Sequence, residues 1–548
     1  MQYFPELLET LLKNRAVSRE EQDDFLSPKY ERLHNPLLLP DMEKARNRII
    51  EAIKKDEHIV VFSDYDADGI PGAVILSDFF LRIKYENVSF YIPHRHDEGF
   101  GLNLEAIEEC AERGAKLIVT VDCGISDVKE VALANEKGIG VIITDHHEEG
   151  KVLPEAFAIV NPKRKSSGYP FKELCGSAVV FKLVQAIFTE ESFGVKIGLE
   201  KWSLDMVAIA TLSDMVPLTG ENRILARFGL DVLRKSPRPG LAALFRRLNI
   251  NQKNICEDDI TFMITPRINA ASRMGVPDDA FKLLSTTDPI EAEKLAAHLE
   301  KINNERKGVV ASLVKEAKSH LEKREKIGDV IVIGNPEWRP ALAGLVANSL
   351  AEEYCRPVFV WGRDGDGVLK GSCRSYNGYD LYILMNSVAD AFIEFGGHAG
   401  AGGFSVTLEN LSALEEKLSQ TLKFLPVDTE CLQAQDSSRH SVSTIGLDDI
   451  GEDLWNVISQ FAPFGMGNEK PIFRIPKVEI KSIRQFGKAN EHLELTLAPN
   501  IKAISFFSTP ESYFLNPEST HCTILANLEK SYFRDRPELR LRIIDIKL

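Results

Sequence analysis

Between residues 58 and 161 short β-branched runs alternate with longer stretches of helical period. HIVVFS, VSFYIP, KLIVTV, GVIIT and AFAIV read as strands, with segments such as 69–84 and 126–137 between them. Apolar strands separated by helices are the mark of a parallel sheet covered on both faces. Residues 1–57 read as a helical lead-in, and 176–235 as further helices with a short polar stop, LSDMVP, at 212–217. The clearest long helix spans 288–326: Asp288 offers an N-cap, Pro289 takes the first helical position, and Glu291 is placed to close a capping box. Ala292, Leu295, Leu299, Ile302, Val309, Leu313, Ala317 and Leu321 recur along it, so one stripe is expected to be buried. At 1.5 Å per residue such a helix reaches about 50 Å, enough to separate two domains. A second α/β unit follows, with strands near 329–333, 357–361 and 368–373 and a glycine cluster at 396–403; residues 430–440 read as a polar linker. From about residue 470, VEIKSIRQF, HLELTLA, KAISFFS and LRLRIIDIKL alternate apolar and polar positions, as a small antiparallel sheet or barrel requires.

These patterns divide the 548 residues into an N-terminal helical segment (1–57), a parallel-sheet α/β domain (58–225), a helical connecting segment with the long helix (226–327), a smaller α/β domain (328–428) and a C-terminal small β-barrel (440–548). With 44% hydrophobic and 27% charged residues, composition excludes a disordered or collagenous chain. The longest apolar runs, such as IVVF at 59–62 and VIVI at 330–333, fall far short of the ~20 residues that span a bilayer. The opening MQYFPELLET is no signal peptide, so a soluble, cytoplasmic protein is expected, with no membrane partner. Eight scattered cysteines without a CxxC pair read as reduced thiols, mostly buried. A net charge of −15 taken alone argues against a polyanionic partner, but the charge is uneven. Residues 227–273 carry nine Lys/Arg against four acids, and 470–548 carry thirteen against nine, so two basic segments could form a groove for phosphates.

Candidate chemistry concentrates where strands end. VVFSDYDADG places Asp64, Asp66 and Asp68 at alternate positions; in an extended segment they share one face, and such crowding is unfavourable without a cation. LIVTVDCG ends a strand at Asp122, and VIITDHH ends one at Asp145, His146 and His147. Ligands of open α/β sheets bind outside the carboxyl ends of the strands, and all three clusters fall there. Asp214 in TLSDMVP follows a helical run and reads equally as a helix-terminal turn. Carboxylates with imidazoles and no thiolate suit manganese or magnesium rather than a structural zinc. Two such ions about 4 Å apart can activate a water and stabilise the leaving oxygen of a displacement at phosphorus, which points to a metal-dependent phosphoesterase.

DYDADG, VDCG, DHH and SDMVP, in this order and spacing, resemble the motif set of the DHH phosphoesterase superfamily. PRINAASRMG at 266–275, GSCRS at 371–375, GGHAGAGGFS at 396–405 and APFGMGNEKP at 462–471 narrow the resemblance to the RecJ family of exonucleases within it. The resemblance covers nearly the whole chain. It implies that 58–225 is a DHH domain, 328–428 a DHH-associated domain and 440–548 an OB-fold that binds nucleic acid. It further implies that Asp66, Asp68, Asp122, His146 and Asp214 ligate two ions, Mn2+ or Mg2+, with Asp122 the bridge. Asp64 would be an added ligand or a water-orienting acid. His147 would face the scissile phosphate, and Asp145 would hold loop or imidazole geometry. Arg267, Asn269 and Arg273 would hold the strand's phosphates near the metals, with Arg374, His398 and the glycine-rich backbone around Gly397 also touching DNA. The tail aromatics Phe473, Phe486, Phe506, Phe507, Tyr513, Phe514, Tyr532 and Phe533 are expected mostly to fill the barrel interior.

The implied activity is processive 5′→3′ hydrolysis of single-stranded DNA in recombination and repair. A single-stranded-DNA-binding protein and a helicase are the implied partners, and a monomer the expected state. Two alternatives stand beside it: a phosphodiesterase of short oligonucleotides or cyclic dinucleotides, and a non-catalytic replication scaffold of the Cdc45 type. The basic C-terminal segment speaks against the first, and the full set of acids and imidazoles against the second.

Overall fold

The computed structural model describes residues 4–365, 367–376, 378–425, 443–487, 490–513, 515, 521–532 and 537–547. The segment 430–440, read as a linker, lies outside them, as do Phe514 and Phe533. Five strands, β1 (Ile59–Ser63), β2 (Val88–Tyr91), β3 (Leu117–Val121), β4 (Gly140–Thr144) and β5 (Ala158–Val160), pair in parallel in the order β2-β1-β3-β4-β5. β1 and β3 are buried along their whole length because both faces are covered. Ile59, Val61, Leu117 and Val119 join one core with helices Gly69–Ile83, Gly176–Glu190 and Leu204–Ser213, and Val60, Phe62, Ile118 and Ile143 join another with helices Leu104–Glu112 and Val128–Glu136.

In this strand order the chain winds away from β1 and β3 in opposite senses, so a crevice opens between their carboxyl ends. The ladder continues one residue past each strand at that edge. The amides of Asp64, Asp122 and Asp145 donate to the carbonyls of Val121, Thr144 and Val160 at 3.0, 2.9 and 3.1 Å. Three motif aspartates therefore stand side by side on a rigid edge.

The helical lead-in serves two bodies. Leu11 and Leu12 of helix Pro5–Asn14 are buried with Leu454, Phe461 and Leu495 in the C-terminal core, whereas Met42, Ala45 and Ile49 of helix Met42–Lys54 belong to the core of the first sheet. An amphipathic stripe says that a face is buried, not against what. Arg223 ties these parts together, donating to the carbonyls of Phe25, Phe461 and Gln460 at 2.9, 2.7 and 3.1 Å.

The long helix runs Pro289–Glu322, and Asp288 caps it by accepting the Ile290 N–H at 2.8 Å. The expected capping box does not form. The Asp288 amide is already satisfied by the Thr286 hydroxyl at 3.2 Å, and Glu291 accepts from that same hydroxyl instead. Nor is the buried stripe continuous: Ala292, Leu299 and Ile302 enter the first core, Ala317 and Leu321 enter that of the second α/β domain, and Val309 between them is 38% exposed. A helix crossing between two bodies has nothing to pack against midway.

The second domain is a mixed sheet of β6 (Ile331–Gly334), β7 (Val358–Arg363), β8 (Leu369–Arg374), β9 (Glu394–Gly397) and β10 (Ala401–Val406), in the order β6-β7-β8-β10-β9. The glycine cluster forms the β9–β10 hairpin. Gly397 has φ 142°, and a Cβ there would run into the Ala401 carbonyl, so its glycine is needed for strand contact. The C-terminal domain is a seven-stranded sheet of β11 (Ser443–Thr444), β12 (Phe473–Glu479), β13 (Ser482–Phe486), β14 (His492–Ala498), β15 (Ile501–Phe506), β16 (His521–Ser531) and β17 (Glu538–Lys547). Their order is β11-β12-β16-β17-β15-β14-β13. Among the described residues no helix is long and apolar enough to cross a membrane.

Candidate metal centre

Read as an extended segment, Asp64, Asp66 and Asp68 would share a face; they do not. β1 stops at Ser63 and the chain turns directly into helix Gly69–Ile83. Within that turn Asp66 Oδ1 accepts the amides of Asp68 and Gly69 at 2.7 and 3.2 Å. Asp68 swings across to the start of helix Gly176–Glu190, where its carboxylate accepts the amides of Gly176 and Ser177 at 2.6 and 2.7 Å. A helix N-terminus presents free N–H groups and favours negative charge, so it locks this carboxylate in place. The approach is close: a Cβ on Gly176 would lie 2.6 Å from Asp122 Oδ1. Asp122 itself holds φ 60°, a left-handed conformation that is unusual for a residue other than glycine and that costs energy at a functional edge.

Side-chain donor atoms within 4.8 Å of one another form three sets: Asp64, Asp66 and Asp122; Asp122, His146 and His147; Asp68, His146 and Asp214. Asp122 belongs to two of them. His146 Nε2 stands 3.2 Å from Asp122 Oδ1, 3.6 Å from Asp214 Oδ2 and 3.7 Å from Asp68 Oδ2. Asp145 faces away from these oxygens. Its Oδ1 accepts the amides of His146 and His147 and the His147 ring Nδ1 at 2.7, 3.0 and 2.8 Å, and its Oδ2 accepts the Ile125 amide at 3.0 Å. It builds the loop and orients the His147 imidazole.

The electrostatics record the crowding. Burial pushes Asp122 well above the usual carboxylate range, and Asp68, Asp66, Asp64 and Asp214 push it further; burial with Asp66 does the same to Asp64. Burial and neighbouring acids raise Asp68 to about 6 and Asp214 to about 8. Burial, with His147 nearby, lowers His146 to about 3, so its ring is neutral. Burial also opposes charge on His147, but the hydrogen bond and charge of Asp145 prevail and lift it to about 9. For Asp145 burial acts upward and the same partner outweighs it, leaving the carboxyl low. Asp64 Oδ1 and Asp122 Oδ1 are buried with no hydrogen-bond partner among the described residues. Buried acceptors facing one another without donors are stable only when a cation replaces the missing protons. The donor set of carboxylates and imidazoles fits a divalent ion of the Mn2+ or Mg2+ type, and the shared Asp122 fits two of them.

The residues of the connecting segment are placed differently from one another. Asn269 Oδ1 accepts the Ala67 amide at 2.9 Å and so braces the acidic turn. Arg267 forms an ion pair with Glu300 at 2.8 Å and a bond to the Met263 carbonyl at 2.9 Å. Two of its nitrogens are thereby engaged, and its charge acts on Arg306 and Lys307 of the long helix. Arg273 donates to the Ala341 carbonyl at 2.8 Å, bridging to the second α/β domain. Burial lowers it to about 9, and so do the charges of Arg95, Arg306 and Arg374 around it. Arg374 donates to the Cys373 carbonyl at 2.8 Å beneath helix Pro340–Tyr354. His398 is exposed, its amide closing the β9–β10 turn on Ala401 at 2.8 Å.

Two contributors escaped the sequence. Arg95 lies with its guanidinium 4.9 Å from the centre of the Tyr65 ring, in the Arg- and His-rich run after β2, and Arg306 lies on the exposed middle of the long helix. The signal for Arg95 was its place just past a strand's carboxyl end; Arg306 had none.

Residues 58–211 match the DHH family, N-terminal domain; 327–423 match the DHHA1 domain and 443–545 the RecJ OB domain. The chain is 34% identical over 494 residues to the single-stranded-DNA-specific exonuclease RecJ of Bacillus subtilis, covering 90% of this chain and 61% of that one. It is 30% identical over 562 residues to the RecJ of Haemophilus influenzae, covering 98% and 95%. A crystal structure of RecJ in complex with Mn2+ from Thermus thermophilus superposes with a TM-score of 0.80 at 25% identity, covering 99% of this chain and 76% of that one. This chain belongs to the RecJ family of single-stranded-DNA-specific exonucleases.

Proposed function

We propose that the chain is a metal-dependent 5′→3′ exonuclease that hydrolyses the phosphodiester bonds of single-stranded DNA in recombination and repair. The observation that carries this is the pair of donor sets sharing Asp122 at the β1–β3 crevice, with the buried acceptors Asp64 Oδ1 and Asp122 Oδ1 left unpartnered. Asp64, Asp66 and Asp122 would hold one ion, and Asp68, Asp122, His146 and Asp214 the other. Divalent cations bound there supply Lewis acidity toward water and the phosphate oxygens.

The remaining work falls to the chain. His147, kept protonated by Asp145, presents its other ring nitrogen to the cleft as a donor for a non-bridging phosphate oxygen. Asp145 acts as a positioning residue: Asp145→Asn is expected to lower turnover about 10–100-fold, as loss of an orienting partner does. Its turnover should also lose less at lower pH, where an unpaired His147 is protonated again; steady-state rates against pH check this. Arg95, Arg306 and Arg374 each repel Arg273 at the junction of the two α/β domains. A strand threaded there would relieve that repulsion with its phosphates.

Recruitment by a single-stranded-DNA-binding protein and a helicase, a monomeric state, and work in the cytoplasm belong to the same proposal and rest on the family resemblance alone. The test is an assay of 5′-blocked and 3′-blocked single strands with and without Mn2+. Loss of cleavage is expected only with the 5′ block or without metal. Equal cleavage of both blocked strands would remove the stated polarity.

A further inference from the structure

We propose that His94 and His96 are positioning residues: they staple the backbone on either side of Arg95 to the end of helix Thr265–Arg273, and so hold the Arg95 and Arg273 guanidiniums together for the substrate's phosphates. It rests on a single strand threading between the two α/β domains.

The staple uses carbonyls that the helix leaves open. Four residues after Arg273 stands Pro277, which has no N–H to return to it. Four after Gly275 stands Asp279, whose amide donates to the Val276 carbonyl at 3.2 Å instead. Open carbonyls at a helix C-terminus take side-chain donors. His96 Nε2 lies 3.1 Å from the Arg273 carbonyl oxygen, and His94 Nε2 lies 3.3 Å from that of Gly275. A carbonyl can only accept, so each ring donates there from Nε2.

The run that carries the two rings is itself held. The amides of Asp97 and Glu98 donate to the His94 carbonyl at 3.1 and 2.8 Å, which closes a turn after β2. The Glu98 carboxylate accepts the His94 amide, the Tyr91 hydroxyl and the Asn103 side-chain amide at 2.5, 2.5 and 3.1 Å. Asp97 Oδ2 stands 2.6 Å from His94 Nδ1, and the two imidazole centroids are 5.6 Å apart. Between these histidines in the chain, Arg95 reaches over the Tyr65 ring.

What the staple opposes is repulsion. Among the charges that lower Arg273, Arg95 acts most strongly, and both guanidiniums act on Tyr65, which the chain places between Asp64 and Asp66. Two like charges on separate elements move apart unless their backbones are tied. Burial lowers His96 below its ordinary value, with His94, Arg339 and Arg95 adding to the effect, so its ring donates without bringing a further charge. Arg273 is also fixed at its other end, where its guanidinium donates to the Ala341 carbonyl.

The test uses the full chain in a chelator, where the anisotropy of oligo-dT reads binding without cleavage. His96→Phe keeps a ring and removes the donor. It is expected to bind the strand about tenfold more weakly, with a salt slope shallower by about one. His96→Gln, whose amide nitrogen reaches the same place, is expected to bind like the wild type. In an Arg95→Ala background His96→Phe is expected to cost nothing further, because a positioning residue acts only through the group it holds. A loss of equal size with and without Arg95 overturns the staple, as does a His96→Phe variant that binds like the wild type. His94→Phe carries the same expectations and takes the place of His96→Phe if that variant melts below the wild type. If Arg95→Ala alone leaves binding unmoved, it is the phosphate role of the guanidiniums that fails.

Discussion

Asp122→Ala is expected to abolish hydrolysis, with a fall in rate of at least about 10³-fold, while leaving most of the affinity for a single strand. Asp122 stands in two of the three donor sets at the β1–β3 crevice, so its loss empties a vertex of each of those two. A cation's stabilisation of transition-state charge is several kcal/mol, and about 4 kcal/mol corresponds to that factor. Binding survives because the guanidinium cluster and the C-terminal sheet are separate from the carboxylates. Single-turnover cleavage in Mn2+ and strand anisotropy in chelator measure the two halves. A variant that cut DNA at a rate within tenfold of wild type would sink the shared-ligand assignment. The substitution removes a buried, crowded carboxylate but keeps the left-handed φ, which suits alanine no better than aspartate, so the metal-free variant should melt close to the wild type.

Without divalent ions the chain is expected to lose stability as pH rises from about 6.5 to 9, and Mn2+ is expected to restore it by a margin that grows over the same interval. The folded state raises Asp214 from an ordinary 3.8 to about 8, so its contribution is still being lost over this interval, whereas Asp68, raised only to about 6, has lost its own below it. A group whose folded value is raised contributes stability fully below its unfolded value and loses it as pH climbs through the folded one. His147, lifted from 6.5 to about 9 by Asp145, acts in the same direction, and the lowered value of His146 matters only below 6.5. Cations must displace those protons to bind, so their affinity rises as the protons leave. At a hundredfold excess over its dissociation constant the ion adds about 2.7 kcal/mol. Calorimetric melting at pH 6.5 and 8.5, with chelator or Mn2+, reads this directly. A stabilisation by Mn2+ of equal size at both pH values would count against proton-held carboxylates as the cation site.

The acids at the strand ends were legible because each follows its strand by a single covalent step. Once IVVFS, LIVTV and GVIIT are strands, the ladder carries Asp64, Asp122 and Asp145 to one edge whatever the rest of the chain does. The five strands, the long helix and its Asp288 cap were legible for the same reason, since they rest on local period and local hydrogen bonds. The role of Asp66 against Asp68 was not. Two residues apart in sequence, they join different donor sets, because an Asx-type turn and the N-terminus of helix Gly176–Glu190 pull them apart.

The sequence by itself therefore determined the strand order's raw material, the positions of the candidate acids at strand ends, and the division into two α/β units and a basic C-terminal sheet. Tertiary structure alone decided which side chains meet. Arg267 is paired with Glu300, 33 residues away, Arg223 gathers carbonyls from both ends of the chain, and the rings of Phe486, His492 and Phe506 align only through the register of β13, β14 and β15. The physical reason is one of range: periodicity tells a residue whether it will be buried, whereas its partner is chosen by the packing of segments that the local pattern never samples.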